Sequence, residues 1–164
     1  MSKSQKLKDK LRENFEFNPT PQQDELINEI SDFVSTLGNR SIFLLKGYAG
    51  TGKTTLVSTL VKSLSVVAKR SSLLAPTGRA AKVLSNYTNT EANTIHKKIY
   101  FPKKTSSRNI DFILQTNKSR NTIFIIDEAS MISGETEYFT GSSLLEDVIK
   151  YVYNNKGCRL IFLG

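Results

Sequence analysis

Only one of the 164 residues is a cysteine, Cys158, which excludes a disulfide within the chain and leaves too few thiols for a zinc cluster. Histidine is equally scarce. The single His96 has no acid or nucleophile patterned around it, so it reads as a structural or phosphate-contacting side chain rather than a catalytic base. No apolar run approaches the roughly 18 residues that a spanning helix needs, and the N-terminus lacks the apolar core of a signal peptide. An intracellular, cytoplasmic protein with no membrane partner is the expectation. Acids are outnumbered, 15 against 23 Lys and Arg, and a net charge of +8 points to a polyanionic partner, nucleic acid being the commonest. The excess is concentrated: five basic residues lie in 1–12, and seven lie in 97–122 against one acid, Asp111. The length and a hydrophobic content of 38% describe one globular domain with a real core.

What is present in full is one stretch, Gly47-Tyr48-Ala49-Gly50-Thr51-Gly52-Lys53-Thr54, followed by Thr55. It fits G-x-x-x-x-G-K-[ST], the P-loop that wraps nucleotide phosphates. Before it, Ser41–Lys46 is short, apolar and β-prone. After it, Leu56, Val57, Leu60, Val61, Leu64 and Val67 recur at helical spacing. The glycines allow a tight turn in which successive N–H groups face an anion at a helix N-terminus. Lys53 supplies a cation for the β- and γ-phosphates, and the Thr54 hydroxyl can bind Mg²⁺.

The rest of the chain alternates strand and helix. Residues 1–18 are polar and basic with Leu7, Leu11 and Phe15 at spacing four, compatible with a short amphipathic helix or with a frayed end. Thr20 and Pro21 start a helix whose stripe is Leu26, Ile27, Ile30, Phe33, Val34 and Leu37, with Gly38 ending it. Gln23 has two readings here: the N3 partner of a capping box with Thr20, or an amide that reads an adenine edge. Ser72–Ala75 reads as a buried strand that ends in Pro76-Thr77-Gly78, and a helix through Leu84 follows. In a parallel sheet that edge is where ligands bind. Residues 101–122 read as a small basic insertion around Ile110, Phe112, Ile113 and Leu114.

A second chemical signal closes the strand Thr122–Ile126 with Asp127-Glu128. An acid there can hold Mg²⁺ opposite the P-loop, and an adjacent glutamate can orient or deprotonate an attacking water. Ser130–Gly141 reads as loop. A helix through Leu144, Leu145, Val148, Ile149 and Val152 follows, opened by a capping box of Ser143 and Glu146, and Arg159–Gly164 reads as a last buried strand. The alternation predicts an α/β fold with a mainly parallel sheet covered by helices on both faces.

Together, Gly47–Thr55, Leu74–Leu84, Thr94–Lys97 and Ile125–Met131 resemble the first RecA-like domain of superfamily-1 DNA helicases, most closely their RecD-like branch, over residues 20–164. The resemblance implies a three-layer P-loop NTPase fold in which the last strand lies between the P-loop strand and the strand bearing Asp127. Residues 1–18 would then be a basic N-terminal segment before the N-terminal part of a RecA-like domain over 19–164, with 101–122 a small basic insertion where relatives carry a strand-separating pin. It further implies that Lys53 and Thr54 handle the phosphates of ATP and Mg²⁺, that Asp127 helps hold the metal, and that Glu128 activates water. Gln23 matches the adenine-reading glutamine. Pro76, Thr77 and Gly78 match one motif that touches single-stranded DNA, and Thr94 and His96 match another. Relatives continue past the last strand into a γ-phosphate sensor and a second RecA-like domain that supplies arginine to the transition state. The chain is therefore expected to be the N-terminal part of a helicase, one that binds ATP with little turnover by itself. Two other classes compete: an AAA-type ATPase or loader acting on a nucleic-acid-associated protein complex, and a non-catalytic nucleic-acid-binding module with a vestigial nucleotide site.

Overall fold

The computed structural model describes residues 1–36, 38, 40–48, 50–104, 110–137 and 140–164. In chain order its elements are α1 (Lys3–Asn14), α2 (Pro21–Ser35), β1 (Ile42–Leu45), α3 (Lys53–Ser63), β2 (Arg70–Ala75), α4 (Gly78–Thr88), β3 (Ala92–Thr94), α5 (Ile95–Ile99), β4 (Tyr100–Lys104), β5 (Ile110–Leu114), β6 (Thr122–Ile126), α6 (Leu144–Tyr153) and β7 (Arg159–Leu163). Two 3₁₀ turns, Leu64–Val67 and Ala129–Met131, extend α3 and follow β6.

Five strands form one parallel sheet in the order β1-β7-β6-β2-β3. All five residues of β6 and all five of β7 are buried, as the uninterrupted Ile-Phe-Ile-Ile and Leu-Ile-Phe-Leu runs require of strands covered on both faces. Alternate side chains go to opposite layers. Ile123, Ile125, Ile161 and Leu163 join the cluster of α1, α2 and α3, while Phe124, Ile126, Leu160 and Phe162 join that of α5 and α6. The expected three-layer architecture is therefore present, and β7 lies between β1 and β6 as the resemblance implied.

Three segments settle or correct what the sequence left open. The polar N-terminal segment is a helix capped by Ser2, whose hydroxyl accepts from Gln5 N–H at 3.1 Å. Its Leu7 and Leu11 are wholly buried, and Phe15 packs against the same cluster. Burial of each leucine contributes about 1.5–3 kcal/mol, more than the exposed ion pairs that flank them. Helix α2 ends at Ser35 rather than near Gly38, and Leu37 lies outside the described residues. Two competitors stop it: the Thr36 hydroxyl donates back to the Asp32 carbonyl at 2.6 Å, and the Arg159 guanidinium donates to the Thr36 carbonyl. Finally, residues 100–114 form an antiparallel pair, β4 with β5, outside the main sheet. Its base is tied to α6 by the Tyr100 hydroxyl, which donates to buried Asp147 at 2.7 Å. Of the basic residues expected there, Arg108 lies outside the described residues.

Candidate functional site: the C-terminal edge of the sheet

Strand β1 delivers the chain to the P-loop, and β7 braces it. Gly164 N–H donates to the Leu45 carbonyl at 3.1 Å, and Gly47 N–H to the Gly164 carbonyl at 3.3 Å, so the β1–β7 ladder continues into the loop. Thr51 then folds the turn, its N–H and hydroxyl donating to the Tyr48 carbonyl at 3.3 and 2.8 Å. A Cβ on Gly47 would meet the Thr51 Oγ1 at 2.8 Å, which is why glycine stands there. Ala49 lies outside the described residues. The Lys53 ammonium reaches back over the loop to the carbonyls of Gly47 and Tyr48.

Helix α3 opens without a side-chain cap, at Gly52. Helices α1, α2, α4, α5 and α6 are all capped by a serine or threonine hydroxyl. The first N–H groups of α3 thus point into a turn lined by Lys53 and exposed Thr54, an arrangement that suits an anion.

Gln23 performs the capping role and stands at the loop as well. Its Oε1 accepts from Thr20 N–H at 2.9 Å and its N–H donates to Thr20 Oγ1 at 3.3 Å. Its other amide atom, Nε2, is 2.7 Å from where a Cβ on Gly52 would sit. The capping-box reading is therefore realised, and the same side chain faces the P-loop. Gly52 also has φ +86°, where an L side chain is strained. Gly52→Ala is expected to cost about 1–2 kcal/mol from the left-handed backbone alone. It should also displace the Gln23 amide and weaken MgATP binding. A thermal midpoint and a nucleotide Kd both equal to those of the parent chain would contradict this geometry.

Across the sheet, β6 ends in Asp127, whose N–H donates to the Leu74 carbonyl at 3.0 Å. Asp127 Oδ1 accepts from Glu128 N–H at 2.9 Å, and Oδ2 accepts from the Tyr87 hydroxyl at 3.0 Å. Burial, and then the charge of Asp127, hold the Tyr87 phenol well above its ordinary range, so it stays a donor. The partnership was not legible in the sequence, because Tyr87 lies 40 residues away on α4 with no motif around it. Glu128 turns the chain with φ 54°, which leaves its carboxylate exposed beside the Asp127 side chain. A cavity of about 310 Å³ joins this acid pair to Thr77, Arg79, Ala80, Val83 and Met131.

The remaining predicted residues lie on the adjoining strand ends. Pro76-Thr77-Gly78 follows β2, with Thr77 capping α4 by accepting from Ala80 N–H at 3.2 Å. Thr94 is in register with Ala75 across the β2–β3 pair and caps α5 by accepting from Lys97 N–H at 3.2 Å. His96 is exposed two residues later, in the first turn of α5, with its ring centroid 5.4 Å from that of Tyr100. All the described candidate residues therefore lie along one edge, with the P-loop at β1, the acids at β6, and the two threonine-bearing turns at β2 and β3. Among the described residues no group of three or more His, Cys, Asp or Glu could hold a metal ion by itself, and no helix is long and apolar enough to cross a membrane.

A five-stranded parallel sheet between two helical layers, with a P-loop at β1 and an acid at the end of the central strand β6, one strand removed, defines a P-loop NTPase domain. Residues 31–161 match the model of a family described as an AAA domain, and the chain belongs to that family. It is 33% identical to an uncharacterized protein of Methanocaldococcus jannaschii, covering 80% of this chain and 11% of that protein. An uncharacterized protein of Acanthamoeba polyphaga mimivirus is 27% identical, covering 87% of this chain and 31% of that one. The chain thus spans less than a third of the length of either relative.

Proposed function

We propose that this domain binds MgATP and is the ATP-hydrolysing motor of a DNA helicase, with single-stranded DNA passing over the β2–β3 end of the same edge. The observation that carries the reading is the shared edge. Nucleotide-type residues (Gln23, Gly47, Gly50, Thr51, Gly52, Lys53, Thr54, Thr55) gather where β1 ends, the acid pair follows β6 at the same end of the parallel sheet, and the acid pair shares a cavity with Thr77. The residues present fit Mg²⁺: an exposed threonine hydroxyl at the start of α3 and a carboxylate at the end of β6 are hard oxygen donors of the kind it prefers. Thr54 and Asp127 would hold it, and when bound it neutralises charge on the phosphates. Lys53 and the free N–H groups of α3 bind and orient the γ-phosphate, while Gln23 reads the base. Glu128 accepts the proton of the attacking water, and Tyr87 keeps Asp127 oriented.

Pro76, Thr77, Gly78, Thr94 and His96 form the DNA track in this reading, and the β4–β5 hairpin, which follows α5 directly in the chain, exposes Phe101, Ile110 and Phe112. A second RecA-like domain elsewhere in the polypeptide supplies the transition-state arginine and the other half of the track. Such an arginine raises the rate by about 10³–10⁵ where it acts in trans on GTPases. Residues 1–164 alone should therefore bind nucleotide yet turn it over very slowly.

Calorimetry with MgATP and a non-hydrolysable analogue is the direct test. Lys53→Ala removes a charge-assisted contact worth about 1.5–3 kcal/mol, so Kd should rise by roughly 10–150-fold. No binding by the parent chain would leave a vestigial site. DNA-stimulated turnover by residues 1–164, at the rate of a complete motor, would sink the two-domain reading. The family description keeps an AAA-type loader as a second reading. Nucleotide-dependent binding of a protein complex, with no affinity for single-stranded DNA, would favour it.

A further inference from the structure

The opposite end of the sheet has a chemistry of its own. Arg40 precedes β1, Lys69 precedes β2, Arg120 precedes β6, and Lys156 and Arg159 flank the start of β7. Four parallel strands thus bring five cations to one rim, and these cations line a single cavity of about 660 Å³. No acid lines it, and none of the five forms an ion pair with the described residues. Strands of four to six residues separate this rim from the P-loop by about 13–20 Å.

The five cations divide into two kinds. Arg159 is 4% exposed. It donates to Ser41 Oγ at 3.0 Å and to the Thr36 carbonyl, and its guanidinium lies 4.8 Å over the Phe33 ring. Lys69 donates to the Gly157 carbonyl at 2.8 Å. These two do structural work by satisfying carbonyls beside chain turns. The side chains of Arg40, Arg120 and Lys156 are exposed and make no hydrogen bond with the described residues. A fold that only needed its carbonyls capped would not need these three as well. Burial, and then the charge of Arg159, hold the Lys69 ammonium below its ordinary range, so the bowl carries an electrostatic cost that a bound anion relieves. The cavity is larger than one phosphate needs, and the cations are spread along it.

We propose that this rim is a second phosphate-binding site, remote from the P-loop, that takes a run of phosphates, either a nucleic-acid backbone or a free polyphosphate. Arg120, Lys156 and Arg40 make the contacts, and buried Arg159 with Lys69 sets the positive field behind them. The proposal does not rest on the helicase reading, because its residues are shared with none of the nucleotide or track residues.

The test uses the whole chain with the P-loop saturated by a non-hydrolysable MgATP analogue. Binding of tripolyphosphate and of a short oligothymidylate is measured for the parent and for Arg120→Glu with Lys156→Glu. A control, Lys6→Glu with Lys10→Glu, makes the same charge change on α1. At least a tenfold loss is expected in the rim variant and not in the control, with nucleotide affinity and thermal midpoint unchanged. If the strand is the ligand, the log–log salt slope for oligothymidylate should also fall by about 1.4, two contacts at roughly 0.7 each. A loss for oligothymidylate identifies a nucleic-acid backbone, and a loss for tripolyphosphate alone identifies a free polyphosphate. Equal binding by rim variant and parent, an equal loss in the control, or no binding of either probe by the parent overturns the site.

Discussion

Glu128→Gln is expected to leave MgATP affinity within about threefold of the parent and to lower hydrolysis by roughly 10²–10⁴, the contribution of a positioned general base. The substitution keeps size and removes only the capacity to take a proton. It also spares the local backbone, since glutamine meets the same φ of 54° that glutamate already tolerates after β6. Asp127 Oδ1 would still accept the N–H of residue 128, and Oδ2 would still accept from Tyr87, because both contacts belong to groups that the substitution does not touch. Turnover of residues 1–164 is itself expected to be small, so the comparison calls for single-turnover phosphate release with radiolabelled nucleotide over hours. Parent-like release by Glu128→Gln would remove this glutamate from the chemistry. A parallel loss of binding would move it into the metal or nucleotide cradle instead. The contrast with Lys53→Ala is diagnostic, since that variant should lose affinity before it loses anything else.

These expectations rest on parts of the chain that sequence reading reached to unequal depth. The strands β1, β2, β6 and β7 were legible because each contains a short apolar run beside a turn signal, too short for a helix, and in β6 and β7 that run is buried throughout. The two capping boxes, Thr20 with Gln23 and Ser143 with Glu146, were legible because their spacing is local, and both form. The strand β3 was not. Its Ala-Asn-Thr is only three residues long with β-propensity in Thr94 alone, and it pairs along the edge that β2 offers, Thr94 beside Ala75. The hairpin β4–β5 hid for a related reason. Phe101, Ile110, Phe112 and Ile113 are exposed in it, so burial never imposed a clean period on its sequence.

The candidate site shows the same division. A P-loop is a contiguous signal, and Gly47 through Thr55 could be read residue by residue. The acids after β6 became interpretable only once paired with it. What no local pattern carries is the second layer: Tyr87 on Asp127, the Gly164 carbonyl under Gly47, and the Gln23 amide against Gly52. Each joins residues far apart in the chain through a sheet edge that exists only after folding. The rim of cations opposite the P-loop was equally invisible, because Arg40, Lys69, Arg120 and Arg159 come from four different segments and meet only through strand order.

Leu11→Ala is expected to destabilise the chain by about 2–5 kcal/mol, the range for emptying a fully packed leucine site. Leu11 is 0% exposed and sits in the cluster that contains Ile27, Ile30 and Val34 of α2 and Leu56, Val57 and Leu60 of α3. For a chain of this size each kcal/mol shifts the thermal midpoint by about 2–4 °C, so the fall should be at least several degrees. An N-terminal appendage would show no such fall, which makes the midpoint a test of whether α1 is core or leader. The consequence reaches the nucleotide site through α2. Arg12 on α1 holds Asp24 in a two-pronged pair, Nε to Oδ1 at 2.7 Å and Nη2 to Oδ2 at 3.1 Å, and also donates to Asn28 at 3.2 Å. Asp24 follows Gln23, whose amide stands against Gly52. Loosening α1 therefore frees the first turn of α2 to move away from the P-loop. MgATP stabilises a folded chain in proportion to RT ln(1 + [L]/Kd), so midpoints measured with and without nucleotide separate the two effects. Equal nucleotide-induced shifts in the parent and Leu11→Ala would confine α1 to holding the core. A smaller shift in the variant would make this basic helix a buttress of the site as well.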